Sequence, residues 1–327
     1  MTISDAPVTT KSVSAVVVSY FTGPLIARSI ASLRAQPEIK EIILIDNGNF
    51  DGDVAGAIAS DDGDAIPVHV VAGQGNIGFS AACNIGAKAA TAQNLLFFNP
   101  DAMMPAGGLA RLLADGADLA RPWMMGPKLV DPEGGEQQGS RRATLTPWRA
   151  FVEVTKIYRL APAHPYFRRF NLHQEEIPVD VTPTPTISGA CFLIARDDYF
   201  AIDGMDERYF LHVEDVDFCL RFANAGGSIY FNPHVAVTHY KSSSRANSVR
   251  IEARKTSGMN LYFRQHFSDA YPKPFLWLVA CGLWAAFGAL VVRRSIAKMF
   301  RLVGLWARTG RRGLEKAKAA SARRTLR

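Results

Sequence analysis

Two acidic motifs carry the chemistry this chain can do. In Phe97-Phe98-Asn99-Pro100-Asp101 an apolar run ends in an acidic turn, and Glu214-Asp215-Val216-Asp217 opens an amphipathic run. A carboxylate at a strand end can hold a divalent cation against a diphosphate, and a second acidic cluster can supply a base. The pair points to metal-assisted transfer from a nucleotide-activated donor. Mg2+ or Mn2+ takes one or two carboxylates and completes its shell with diphosphate oxygens and water. Asp101 fits that role with Asn99 as helper; its alternative is a helix N-cap. Glu214 and Asp215 sit where a helix dipole favours their ionised form, as a base requires; the alternative is plain capping. Asp217, one turn before Arg221, is expected to pair with it. His239 follows the apolar run Val235-Ala236-Val237-Thr238, and a strand-end imidazole there can complete a metal site.

Two further features are open to more than one reading. Asp46 ends a β-branched run, where a carboxylate can accept the imide N–H of a uracil or thymine base; Asp-Asn-Gly also favours a turn on its own. Gly73-Gln74-Gly75-Asn76-Ile77-Gly78 matches G-x-G-x-x-G, the dinucleotide fingerprint. It follows the third strand, however, and the loop after the first, Ser19-Tyr20-Phe21-Thr22-Gly23, has no glycine cradle. A nucleotide-sugar loop or a close backbone approach competes with the NAD-dependent oxidoreductase reading.

The elements that must position these groups alternate. Val13 to Val18, Glu41 to Ile45, Val68 to Val71 and Leu95 to Phe98 read as strands, and Pro24 to Gln36 and Phe79 to Ala92 as helices. This βαβ order predicts an α/β protein with a mostly parallel, doubly wound sheet. Further on, Gly107 to Leu119 reads as a helix and Met124 to Val130 as an edge strand. Ala190 to Ile194 reads as a strand, Asp215 to Asn224 as a helix closed by Gly226-Gly227, and Ser228 to Phe231 and Val235 to Thr238 as two strands. Residues 131–185, rich in Pro, Gly, Arg and aromatics, give no assignable period.

The net charge of +7 is unevenly placed. Residues 291–327 hold twelve Lys and Arg against Glu315, a charge of +11, which leaves −4 on the rest. That argues against nucleic-acid binding by the body and for a basic anchor at one end. Before it, Phe275 to Val292 is apolar and uncharged; as a helix it would run about 27 Å, marginal for a bilayer. A single crossing with the basic end in the cytoplasm would put the body outside, away from nucleotide sugars. An in-plane or re-entrant anchor on anionic lipid avoids the conflict; packing on the domain is the alternative. Cys83, Cys191, Cys219 and Cys281 lack metal-ligand spacing and read as reduced thiols.

Taken in order, several stretches resemble the family 2 inverting glycosyltransferases of the GT-A fold, in the branch of bacterial rhamnosyltransferases that build O-antigen and cell-wall linkage units. They are Val16-Val17-Val18-Ser19-Tyr20, Ile45-Asp46-Asn47, Asn76-Ile77-Gly78-Phe79 with Asn84, Asn99-Pro100-Asp101, Ser188-Gly189-Ala190-Cys191, Met205 to Phe210, Glu214 to Asp217, and His239. Phe21 and Met205 depart from the family's usual residues. The resemblance implies that Ser19, Tyr20, Asp46, Asn76, Gly78, Asn84, Asn99 and Asp101 bind the nucleotide sugar. It further implies that Asp101 and His239 bind Mg2+ or Mn2+, that Asp215 is the base with Glu214 beside it, and that Gly189 and Cys191 line the acceptor side. It implies a nucleotide-binding and an acceptor-binding half within residues 12–265, after a leader at 1–11 and before a membrane-associating tail at 266–327. The expected reaction moves a sugar, L-rhamnose from dTDP-L-rhamnose, with inversion onto a polyprenyl-diphosphate-linked saccharide at the cytoplasmic face of a bacterial inner membrane. A UDP-sugar donor and a non-catalytic nucleotide-binding scaffold are the rivals, and a homo-oligomer is left open.

Overall fold

Val13–Ser19 (β1) is buried at every residue, which is why it runs apolar without alternation: a parallel strand covered on both faces has no solvent side. In the computed structural model, which describes residues 12–49, 52–58, 66–161, 164–240, 248–296 and 299, β1 is followed by Leu25–Arg34 (α1), Ile39–Asp46 (β2), Asp53–Ile58 (α2), Val68–Val71 (β3), Phe79–Ala89 (α3) and Asn94–Phe98 (β4). Then come Ala102–Met103 (β5), Gly108–Gly116 (α4), Trp123–Val130 (β6), Arg141–Arg142 (β7), Pro147–Thr155 (α5), Thr182–Pro183 (β8), Thr186–Ile187 (β9), Cys191–Ala195 (β10) and Arg196–Phe200 (α6). Glu214–Asn224 (α7), Ser228–His239 (β11), Ser248–Phe267 (α8) and the long apolar helix Lys273–Ile296 (α9) complete the described residues. The leader and most of the basic tail lie outside them.

The main sheet runs β3-β2-β1-β4-β10-β6-β11-β5, with β8 beside β11. β10 is antiparallel to both β4 and β6, while β1 to β4 are mutually parallel and β11 is parallel to β6. The carboxyl ends of β1, β2, β4 and β11 and the start of β10 therefore meet along one edge, where open α/β sheets bind ligands. One face of the sheet packs on α1 and α4 through Ile26, Ile30, Leu109 and Leu112. The other packs on α3, α6 and α7 through Ala82, Tyr199, Phe218 and Phe222. A third apolar cluster joins Ala150 of α5, Val216 of α7, Tyr262 and Phe263 of α8, and Val279 and Leu283 of α9.

Three expectations change. Met124 to Val130 is no edge: β6 lies between β10 and β11, so its buried Met and Gly side read internal, not peripheral. The two strands expected at 228–231 and 235–238 are one, β11, whose register against β6 shifts between Asn232 and Ala236; Pro233 within it cannot donate to the ladder. The unassigned stretch supplies β7, α5, β8 and two 3-10 turns.

Candidate active site

The turn after β4 and the end of β11 meet. Asp101 and His239 are both buried, with His239 Nε2 3.2 Å from Asp101 Oδ1. The backbone ties them as well: Tyr240 N–H donates to the Asp101 carbonyl at 2.9 Å. Gln137, just past β6, holds the imidazole. Its Nε2 donates to the His239 carbonyl, and its Oε1 lies 2.9 Å from Nδ1. A carbonyl can only accept, so the amide oxygen faces Nδ1, which must then carry the proton. Nε2 in turn lies 3.2 Å from Asn99 Nδ2 and 3.2 Å from Asp101 Oδ1. An imidazole nitrogen and a carboxylate oxygen at that separation can share a proton or a metal ion. An imidazole nitrogen with a carboxylate oxygen suits Mn2+, and Mg2+ less well. Among the described residues no three His, Cys, Asp or Glu gather into a complete cage, so an ion held here would need its remaining ligands from substrate and water.

Neighbouring strand ends form the rest of this edge. Ser19 is buried and its hydroxyl contacts Asn49 Oδ1 at 2.9 Å and Thr22 Oγ1 at 3.1 Å. Tyr20 lies against Gly48. Asp46, half-buried, uses Oδ1 to accept from Gly48 N–H at 2.9 Å and Asn49 Nδ2 at 2.5 Å, a turn locked by its own side chain. The Gly-rich loop is pinned to it: Gln74 Nε2 donates to the Asp46 carbonyl at 3.0 Å, and Asn47 Nδ2 to the Gly78 carbonyl at 3.0 Å. Gly78 has φ +91°, and a Cβ there would sit 2.7 Å from the Phe210 carbonyl oxygen, so only glycine fits this close approach. Asn76 is exposed and closes the loop by accepting from Gly78 N–H at 3.1 Å.

Asn84 differs from its expected role. It is buried; its amide donates to Met205 O and Glu207 Oε1, and accepts from Met205 N–H and the Tyr199 hydroxyl. Its hydrogen-bonding capacity is taken up in tying α3 to the Met205–Glu207 loop, so it is a positioning residue with nothing left for a donor sugar.

Asp215 stands at the head of α7. Arg142 Nη2 lies 2.5 Å from Oδ2, and Gly189 N–H donates to the same oxygen at 3.0 Å. Arg142 also donates to the Ile187 carbonyl and lies over the Phe170 ring. Burial opposes charge on the Asp215 carboxyl, but the Arg142 guanidinium and the Gly189 amide outweigh it and hold the group below the usual carboxylate range. Gly189 is a close approach too: a Cβ would lie 3.2 Å from Asp215 Cβ. Glu214 points the other way. It is 6% exposed, its Oε2 has no hydrogen-bond partner, and burial followed by the Asp215 charge pushes its carboxyl up. Its expected catalytic place beside Asp215 is corrected to that of a buried acid whose raised carboxyl holds its proton. Cys191 is corrected likewise: it is 1% exposed within the core under β10, and burial raises its thiol. Asp217 is fully buried and bonds Arg221 at 2.7 Å and His266 at 2.6 Å.

Two consecutive residues bring the acidic motifs together. Ala190 O accepts from Asn99 N–H at 2.8 Å, while Gly189 N–H donates to Asp215. A carboxylate that can share a cation and an ionised carboxylate held by an arginine thus flank the start of β10. Gln137 and Arg142 had no signal in the sequence; both come from the stretch without a period.

The model for "Glycosyl transferase family 2" matches residues 14–199. The chain is 27% identical over 300 residues, 88% of it and 94% of the relative, to an N-acetylglucosaminyl-diphospho-decaprenol L-rhamnosyltransferase of Mycobacterium tuberculosis. It is 29% identical over 73 residues, 21% of the chain and 28% of the relative, to the rhamnosyltransferase WbbL of Escherichia coli. The fold is that of a mannosyltransferase, PcManGT from Pyrobaculum calidifontis, solved with GDP-Man and Mn2+ (TM-score 0.53, 16% identity, 88% of this chain and 80% of that one). It is also that of GalNAc-T7 solved with UDP, GalNAc and Mn2+ (TM-score 0.54, 18% identity, 81% of this chain and 52% of that one). These neighbours place the architecture in the GT-A class.

Proposed function

The chain belongs to glycosyl transferase family 2, and on that premise we propose that it moves L-rhamnose from dTDP-L-rhamnose, with inversion, onto a polyprenyl-diphosphate-linked saccharide. The observation that carries this reading is the match, along 88% of the chain, to a rhamnosyltransferase whose name specifies a diphospho-decaprenol acceptor. The geometry supports the steps. Asp46 with Ser19 and Tyr20 receives the base at the ends of β2 and β1. Asn76 and Gly78 bring the loop before α3 against it. Asp101 and His239 would hold Mn2+ or Mg2+, with Asn99 beside them. A cation bound there supplies neutralising charge to the leaving diphosphate. Asp215, held ionised and oriented by Arg142 and Gly189 N–H, accepts the proton of the attacking hydroxyl in a single in-line displacement.

The same reading places the protein on the cytoplasmic face of the membrane as a peripheral or monotopic enzyme. Helix α9 is long and apolar enough to cross a bilayer, about 36 Å at helical rise. Val279 and Leu283 nevertheless pack on the domain, while Trp277 and Trp284 are exposed, Trp277 by 73%. A one-sided helix with exposed tryptophans suits the headgroup boundary.

The test uses full-length protein with Mn2+ and an N-acetylglucosaminyl-diphospho-polyprenol acceptor. dTDP-L-rhamnose should yield the rhamnosylated lipid with inverted anomeric configuration. Turnover with a UDP-sugar and none with dTDP-L-rhamnose would replace the donor, and a retained configuration would overturn the displacement.

A further inference from the structure

A second cavity lies away from the catalytic edge. It occupies about 320 Å³ between α5 and α9, within the range of small-ligand sites, and its walls are apolar or small: Phe151 and Val154 on one side, Leu278, Cys281, Gly282 and Ala285 on the other. Both helices belong to the apolar cluster that also contains Val213 and Val216, which flank Asp215. The cleft is thus built on the same packing unit as the candidate base.

A charge lies next to the cleft in the chain. Arg149 on α5 precedes the cleft-lining Ala150. It is half-buried, donates to the Thr144 carbonyl at 2.6 Å and, among the described residues, meets no carboxylate in an ion pair. Burial first and the neighbouring Arg168 second oppose its charge, with Tyr271 acting the other way, whereas Arg168 and Arg169 each have a glutamate. Thr144 is two residues beyond Arg142, roughly 7 Å of extended chain. Linked in turn are the arginine that holds the candidate base, a guanidinium with no carboxylate partner among the described residues, and an apolar cleft beside an apolar helix. An amphiphile made of saccharide, diphosphate and hydrocarbon has its parts in that order.

We propose that the α5–α9 cleft holds the isoprenoid tail of the lipid acceptor and that Arg149 binds its diphosphate. This rests on the acceptor class given above and assigns it a path. Gly282 offers a clean probe. It is helical, and a Cβ there would lie 3.8 Å from Val154 Cγ1, ordinary contact, so a small side chain is tolerated while a large one must enter the cleft.

The experiment compares kcat/KM for N-acetylglucosaminyl-diphospho-decaprenol with that for a methyl diphosphate analogue that has no tail, using full-length protein in mixed vesicles. Wild type and Gly282→Ala should prefer the tailed acceptor. Gly282→Phe should reduce that preference about tenfold, the loss of under two buried methylenes. Arg149→Gln should lower kcat/KM for both acceptors about tenfold while the donor KM holds, because both lose a charge-assisted contact. An unchanged preference in Gly282→Phe overturns the cleft. If that variant instead detaches the protein from vesicles with the preference intact, the cleft holds bulk lipid and the proposal fails. An Arg149→Gln defect confined to the donor KM overturns the diphosphate assignment. Wild-type protein inactive on both acceptors would be the distinct failure of the acceptor class itself.

Discussion

The two acidic motifs linked through Gly189 and Ala190, just before β10, hold their carboxylates in opposite settings. Asp101 is fixed by regular structure: it follows β4, its backbone pairs with Tyr240, and its side chain meets an imidazole at the end of the neighbouring β11. Asp215 is fixed by an arginine from a two-residue strand in an irregular stretch and by the amide of a glycine. The first arrangement sets an imidazole nitrogen against a carboxylate oxygen, a pair able to share a cation; the second supplies the positive charge from the protein. One end of the site thus has donor atoms a metal ion would use, and the other is held ionised by an arginine.

The sharpest way to break this contrast is Asp215→Asn. Asparagine can still accept from Gly189 N–H but cannot take a proton, so kcat should fall by about two to four powers of ten, the usual weight of general-base catalysis. The KM for dTDP-L-rhamnose should hold. A loss below about tenfold would remove Asp215 from the proton transfer.

Asp101→Ala should cost about two to three powers of ten in kcat, as expected when charge stabilisation of a leaving group is lost. Raising Mn2+ should not restore it, and the melting temperature should stay near that of wild type, since the β4 and β11 ladders do not pass through this side chain. Recovery at high Mn2+ would show that His239 and the diphosphate hold the ion unaided.

How much of this was legible follows the same divide. Val16 to Val18, Ile42 to Ile45 and Leu95 to Phe98 are buried apolar runs, and in a parallel sheet the turn that follows such a run lies on the ligand edge. Asp46 and Asp101 could be placed from that alone. Cys191 could not: a strand's first residue points to the core or the site according to register, and the sequence does not state register. Asn84 carried no mark to distinguish a structural amide from a binding one. Arg142 adjoins Arg141, an identical residue type, yet Arg141 is buried against Glu136; nothing local separates the structural arginine from the one on Asp215.

Arg142→Met moves the second setting toward that of an ordinary buried acid. The guanidinium is removed and burial remains, so the Asp215 carboxyl should rise. The acid limb of the kcat profile should shift up accordingly, with the plateau rate at high pH falling less than in Asp215→Asn. An acid limb that stays put would mean that Gly189 N–H alone sets the carboxyl.

Glu214→Gln should have the smallest effect on rate and the clearest effect on stability. Glu214 is buried with Oε2 unpaired, and its carboxyl is pushed up by burial and by Asp215. A group whose folded-state value is raised binds its proton more tightly when folded. The stability it contributes is complete below the ordinary glutamate range and is lost as pH rises through the raised value, because the buried group must then ionise or unfold. Glutamine keeps the shape and removes the titration. The variant should therefore match wild type in melting temperature near pH 4.5 and exceed it increasingly toward pH 9, while kcat changes only a few-fold. Equal melting temperatures across that range would mean that Glu214 stays compensated when charged. A variant as inactive as Asp215→Asn would move the base from Asp215 to Glu214, and the contrast between a metal-seeking end and an arginine-held end would have to be redrawn around the buried acid.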